Sequence, residues 1–237
     1  MRKISFYNGG IFHILNRGVD KRRIFLSDDD RQLFYQYMYL FSDSRYENRE
    51  GCTELNMLRI AANQVIEVER DPLVKFFCFS LRPNHFHFFI QQVKDNGVSL
   101  FLHKLQKTYS REFNKSNGRS GTLFEGSFKV KHVESEAHFM HLPRYIHLNS
   151  LDNQMPEWRE GKIKDWDRAQ KILNNDPWSS HQIYSGKKSR LPIIEEEFIK
   201  STFSSKDQYF NYLKEWATSR IVDKTERDFW DYTLEGW

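Results

Sequence analysis

The stretch Arg82-Pro83-Asn84-His85-Phe86-His87-Phe88-Phe89-Ile90 admits few folds. Histidines alternate with large apolar residues, the period-two pattern of a strand with one buried face. Side chains alternate sides along a strand, so His85 and His87 project together, roughly 6–7 Å apart at Cα. Two imidazoles so placed can share a metal ion. Phe86, Phe88 and Ile90 form the opposite face and anchor the strand in a core. The bland reading is a pair of half-exposed histidines at a strand end, since most histidines bind no metal.

The neighbouring segments extend this strand into a sheet. Residues 74–81 are apolar on both faces, as a central strand requires, and Pro83-Asn84 turns them into the histidine strand. Residues 11–15 form a first strand closed by the turn Asn16-Arg17-Gly18. Ser27-Asp28-Asp29-Asp30 supplies an N-cap and first-turn acids for a helix whose buried stripe is Leu33, Phe34, Tyr37, Met38 and Phe41. A second helix spans about 98–115, with Val98, Phe101, Leu102, Leu105 and Tyr109 on one stripe. A strand over 123–133 and a helix over 134–149, kinked at Pro143, follow. The order strand, helix, strand, strand, helix, strand is the split βαβ pattern of an α+β, ferredoxin-like antiparallel sheet. Residues 42–72 are polar and read as an insertion. Residues 1–150 make one domain, and 151–237 a mainly helical C-terminal extension.

Charge points to the partner. Residues 1–25 hold six basic side chains against one acidic, and residues 103–132 seven against two. Two such blocks beside the histidines resemble the footprint of an anionic polymer. The expected contacts to that polymer are Arg17, Lys21, Arg22, Arg23, Lys104, Lys107, Arg111, Lys129 and Lys131. The net acidic C-terminal stretch is a poor phosphate binder. No run approaches eighteen apolar residues, so no membrane span is expected. Cys52 and Cys78 are too few for a disulfide framework or a cysteine zinc site, which suits the cytoplasm and a place near the nucleoid.

A divalent ion held by the histidines would neutralise a phosphodiester oxygen and orient phosphorus for in-line attack. A tyrosine hydroxyl can be the nucleophile once its proton, ordinarily held to a pKa of about 10, is drawn off. Tyr109 follows the histidine hairpin on the next helix, beside Lys104, Lys107 and Arg111, and is the expected nucleophile. Tyr35 and Tyr145 are rivals. Helical periodicity alone makes Tyr109 a core tyrosine.

Taken in order, Phe12-His13-Ile14-Leu15-Asn16-Arg17-Gly18, Asn84-His85-Phe86-His87, Tyr109 with Phe113-Asn114, Gly121-Thr122-Leu123-Phe124-Glu125-Gly126-Ser127-Phe128 and Tyr145-Ile146-His147-Leu148-Asn149 resemble the REP-associated tyrosine transposases. These are a branch of the single-tyrosine transposases with a His-hydrophobic-His (HUH) motif, in the insertion-sequence 200-like superfamily. The resemblance covers about residues 9–150. It implies a metal-dependent nuclease and strand transferase on single-stranded or hairpin DNA. His85 and His87 would bind Mg²⁺ or Mn²⁺, and Tyr109 would join a 5′-phosphate and leave a free 3′-OH. Relatives carry a third metal ligand one helical turn after the tyrosine. Phe113 holds that position here, and Asn114 is nearest in chemistry. Relatives also include dimers with shared sites, so a homodimer is among the expected assemblies. The alternative is a relative that grips DNA or RNA hairpins through basic loops and aromatic stacking without cutting.

Overall fold

The computed structural model describes residues 4–46 and 70–219. Strand β1 (Ile11–Arg17) leads to helix α1 (Asp28–Phe41), then β2 (Val74–Arg82), β3 (His85–Gln92), α2 (Gly97–Ser116), β4 (Lys129–His132) and α3 (Glu136–Leu148). Helices α4 (Trp166–Asn175), α5 (His181–Tyr184), α6 (Glu196–Thr202) and α7 (Lys206–Ser219) complete the described chain. The four strands lie in the order β2-β3-β1-β4, every neighbouring pair antiparallel. This is the expected ferredoxin-like arrangement, with β1 and β3 at its centre.

Local chemistry fixes the ends of these elements. Ser27 Oγ accepts the Asp30 N–H while the Asp30 carboxylate accepts the Ser27 N–H, a reciprocal box that starts α1. Ser135 caps α3 by accepting the His138 N–H, and the helix runs through Pro143 without ending there. The last strand is shorter than the expected 123–133. Gly121 and Gly126 adopt positive φ, which takes the chain out of extended geometry until Lys129. Gly18 closes β1 where a Cβ would strike the Arg22 carbonyl oxygen, so the turn needs glycine. The expected insertion at 42–72 falls mostly outside the described residues. Its two ends are tied, since the buried Asp43 carboxylate accepts the Asp71 N–H and the Asp71 carbonyl accepts the Ser44 N–H.

The register divides the sheet into two unlike faces. Residues paired across an antiparallel ladder share a side. Phe12, Ile14, Asn16, Phe86, Phe88 and Ile90 therefore face α1 and α2, where Phe34, Phe101 and Tyr109 close a core. The other face carries His13, Leu15, Arg17, His85, His87, Phe89, Ser80, Arg82, Lys129 and Lys131. Its Phe89 end is sealed by Phe77, Phe139 and Phe198, so α3 and α6 pack there. The extension thus covers part of the sheet face that a bare ferredoxin-like unit leaves open.

Candidate active site

His85 and His87 lie on the second face as the alternation predicts, their ring centroids 4.9 Å apart and nearly perpendicular. One nitrogen of each ring is already engaged. Asn84 Oδ1 sits 2.7 Å from His85 Nδ1, and His13 Nε2 sits 3.0 Å from His87 Nδ1. A ring held through Nδ1 presents Nε2 to a ligand, the usual arrangement behind a metal-binding histidine. Burial, reinforced by Arg82, Arg159 and Arg17, lowers the His85 pKa to about 3, and burial drives His87 well down as well. Both rings are therefore neutral at physiological pH, the form that ligates.

The tyrosine beside this pair is Tyr145, from α3. Its ring stands edge-on to His87 at 5.5 Å between centroids and to His13 at 6.0 Å. Four residues later, one helical turn along the same face, Asn149 ends the helix. Asn149 is buried, donates its side-chain N–H to the Tyr145 carbonyl at 2.6 Å, and accepts weakly from Arg159 at 3.3 Å.

The structure does not bring Tyr109 to the histidines. Its side chain is wholly buried on the helix-covered face, donates a 2.5 Å hydrogen bond to the Ile24 carbonyl, and packs against Phe25 and Phe34. Burial, with Asp30 adding to it, holds its phenol well above the ordinary tyrosine range. Strand alternation puts Phe86 and Phe88 between it and the imidazoles. Asn114, near the end of the same helix, donates to the Gly121 carbonyl and is likewise across the sheet from the pair. The sequence reading followed chain order from hairpin to next helix, but in a split βαβ fold that helix packs on the apolar side.

The expected DNA contacts separate in the same way. Arg17, Lys129 and Lys131 share the histidine face, Arg17 paired with Glu125 at 2.7 Å. Lys21, Arg22 and Arg23 form the loop after β1, and Asn84 joins that loop to the site by donating to the Lys21 carbonyl. Lys104, Lys107 and Arg111 lie on the exposed side of α2, behind the other face. Sequence reasoning did not place His13, Arg82, Arg159 or Asn149 beside the histidine pair, and it held Tyr145 only as a rival to Tyr109. The Tyr145-x-x-x-Asn149 spacing and the antiparallel register of His13 against the histidine strand were the available signals. Arg159, in a region without periodicity, left none.

Arg82 is bound to Asp176, and Arg159 to Asp152 at 2.8 Å, so each cation beside His85 is held by an acid. Two neutral imidazoles with engaged Nδ1 atoms fit a divalent ion. Among the described residues no cluster of three or more His, Cys, Asp or Glu side chains could hold one, so a further ligand from among them would be an amide, a hydroxyl or a backbone carbonyl.

Residues 44–149 match the family model described as "Transposase IS200 like", a little under half of the chain. That segment belongs to the IS200-like transposases. The match over that segment supports, in general terms, a DNA-processing enzyme. Solved structures that resemble the chain include the following pair. A REP-associated tyrosine transposase bound to a REP hairpin is 12% identical over 94% of this chain and 99% of that one, with a TM-score of 0.46. A candidate transposase from Deinococcus radiodurans R1 is 14% identical over 62% of this chain and 95% of that one, with a TM-score of 0.26. No curated protein matches the sequence. Among the described residues no helix is long and apolar enough to cross a membrane.

Proposed function

We propose that this chain is a single-strand DNA endonuclease and strand transferase of the REP-associated type, acting on hairpin or palindromic repeat DNA, with Tyr145 as nucleophile. The observation that carries the reading is the Tyr145 ring against His87, one turn before Asn149, on the sheet face that bears the histidine pair and its cations. With Tyr145 in the role, the position one turn on is an amide rather than Phe113, and the expected third ligand becomes Asn149.

His85, His87 and Asn149 would hold Mg²⁺ or Mn²⁺, which supplies charge neutralisation at a phosphate oxygen. Arg82 and Arg159, each half-neutralised by its own acid, flank the place where that phosphate sits. The Tyr145 oxygen attacks phosphorus, the Tyr145 O–P bond forms, and the P–O3′ bond breaks. The phenolic proton is given up and the departing 3′ oxygen takes one up, leaving a 5′-phosphotyrosine and a free 3′-OH. The covalent link keeps the bond energy available for rejoining.

The test is an intact-mass measurement of protein mixed with Mn²⁺ and a single-stranded hairpin oligonucleotide. A DNA adduct is expected in the wild type and in Tyr109→Phe, and none in Tyr145→Phe. An adduct in Tyr145→Phe that vanishes in Tyr109→Phe refutes the assignment. One observation favours a second reading: Tyr145 and His87 are out of contact with solvent. A hairpin-binding protein that does not cut would retain the oligonucleotide and give no adduct in any variant.

A further inference from the structure

The sequence Lys187-Lys188-Ser189-Arg190 reads as a connector, yet it forms one wall of a cavity of about 700 Å³ in the C-terminal extension. The opposite wall comes from α6 and the start of α7, with Lys200 and Lys206. Five cations from separate parts of the chain therefore converge on one concavity. Glu196 is the acid among its lining residues. The floor is apolar, made by Tyr184, Ile199 and Phe203.

The cations differ in how they are held. Arg190 lies over the Trp178 ring and donates to Gln32, Lys187 donates to the Asn174 carbonyl, and Lys200 pairs with Glu197. Lys188 and Lys206 form no ion pair with any described residue. The end of the Lys206 side chain lies over Gly186. A Cβ at Gly186 would collide with its Cε and Nζ, and Gly186 has φ of +85°. A cationic rim over an apolar floor matches a chain that is anionic along its backbone and flat and apolar at its bases.

The cavity also adjoins the site in sequence. Helix α5, which carries Tyr184, follows at once from the segment in which Asp176 binds Arg82 and Ser179 bridges to Ser80 on β2. We infer that this groove in the extension binds the sugar-phosphate backbone of single-stranded DNA flanking the hairpin. The inference rests on the proposed function, because it gives that DNA a second point of attachment outside the catalytic face.

The experiment compares a hairpin oligonucleotide carrying a thymidine tail with the same hairpin lacking it, in the full-length protein. Lys188→Glu with Lys206→Glu is expected to weaken binding of the tailed hairpin, leave the tailless one unchanged, and lower the slope of log K against log salt by about 1.4, the loss of two single-strand phosphate contacts. Lys188→Arg with Lys206→Arg should bind as the wild type does. Unchanged binding of the tailed hairpin, or equal weakening of both, overturns the groove while leaving the proposed function intact. Tighter binding also overturns it and points to an acidic segment of the chain as the occupant. A wild type that binds neither DNA overturns the groove and the proposed function together.

Discussion

The imidazoles of His13 and His87 lie nearly parallel, 16° between planes, with Nε2 of the first 3.0 Å from Nδ1 of the second. They come from β1 and β3, so the sheet register itself sets the contact. Burial, with Lys131 adding to it, lowers the His13 pKa to about 3 and keeps its ring neutral. A neutral His13 can accept at Nε2 from His87 Nδ1–H, which leaves His87 Nε2 unprotonated for a metal. His13→Ala should therefore weaken Mn²⁺ binding about 10- to 100-fold, read by calorimetric titration of folded protein. His13→Gln, which keeps an acceptor, should recover part of the loss. Identical Mn²⁺ affinity in wild type and His13→Ala would remove His13 from this role.

Tyr109 contributes a hydrogen bond in the core, and with Tyr145 proposed as nucleophile its removal should cost stability and not cleavage. Tyr109→Phe deletes the donor to the Ile24 carbonyl and leaves the ring packing among Phe25, Phe34 and Phe113 in place. The cost is about 1 kcal/mol, that of one buried hydrogen bond. Urea unfolding should show a lower midpoint with an unchanged slope, and the protein–DNA adduct should persist. Stability equal to the wild type would mean that the bond contributes nothing.

The sheet was legible because its determinants are local. Alternation in β3, the Ser27–Asp30 box and the stripe of α2 each act over a few residues. The order of elements also implied the ferredoxin-like sheet, but the strand over 74–81, expected at its centre, lies at the edge beside β3. Which tyrosine meets the histidines was not legible in the same way, because it depends on which face of the sheet each helix covers. Tyr109 fits its helix stripe as well as a nucleophile would, and only Phe34 and Phe86 in contact with that core decide the matter. Arg159 lies in a short 3-10 helix (Pro156–Glu160) and Asp176 just past the end of α4, and only tertiary packing brings Arg159 to His85 and Asp176 to Arg82.

Arg82 and Asp176 form an ion pair with both side chains largely buried, and the Asp176 carboxylate also accepts from Ser150 Oγ at 2.6 Å. Removing one partner strands the other charge. Asp176→Ala should cost about 3–5 kcal/mol, whereas Arg82→Met with Asp176→Leu should recover most of that stability. Because Arg82 adjoins His85, the double variant should still lose DNA cleavage. A double variant that is as unstable as Asp176→Ala would show that packing, not the charge, sets the cost.

Acid should destabilise the extension through His181. Its ring is buried, with Nδ1 2.7 Å from the Tyr209 hydroxyl and Nε2 3.0 Å from Asn174 Oδ1. Burial lowers its pKa to about 4, with Lys187 acting the same way and Asp176 opposing. The unfolded chain takes up this proton near pH 6.5 and the folded protein only near pH 4. Between those values the unfolded state binds more protons, so the stability this group confers is present above about pH 6.5 and falls as pH drops towards 4. From about pH 7 to pH 5 the loss is about 2 kcal/mol. Urea unfolding at these two pH values should show a drop that is about 2 kcal/mol smaller in His181→Gln. An equal drop in both proteins would place the acid sensitivity elsewhere.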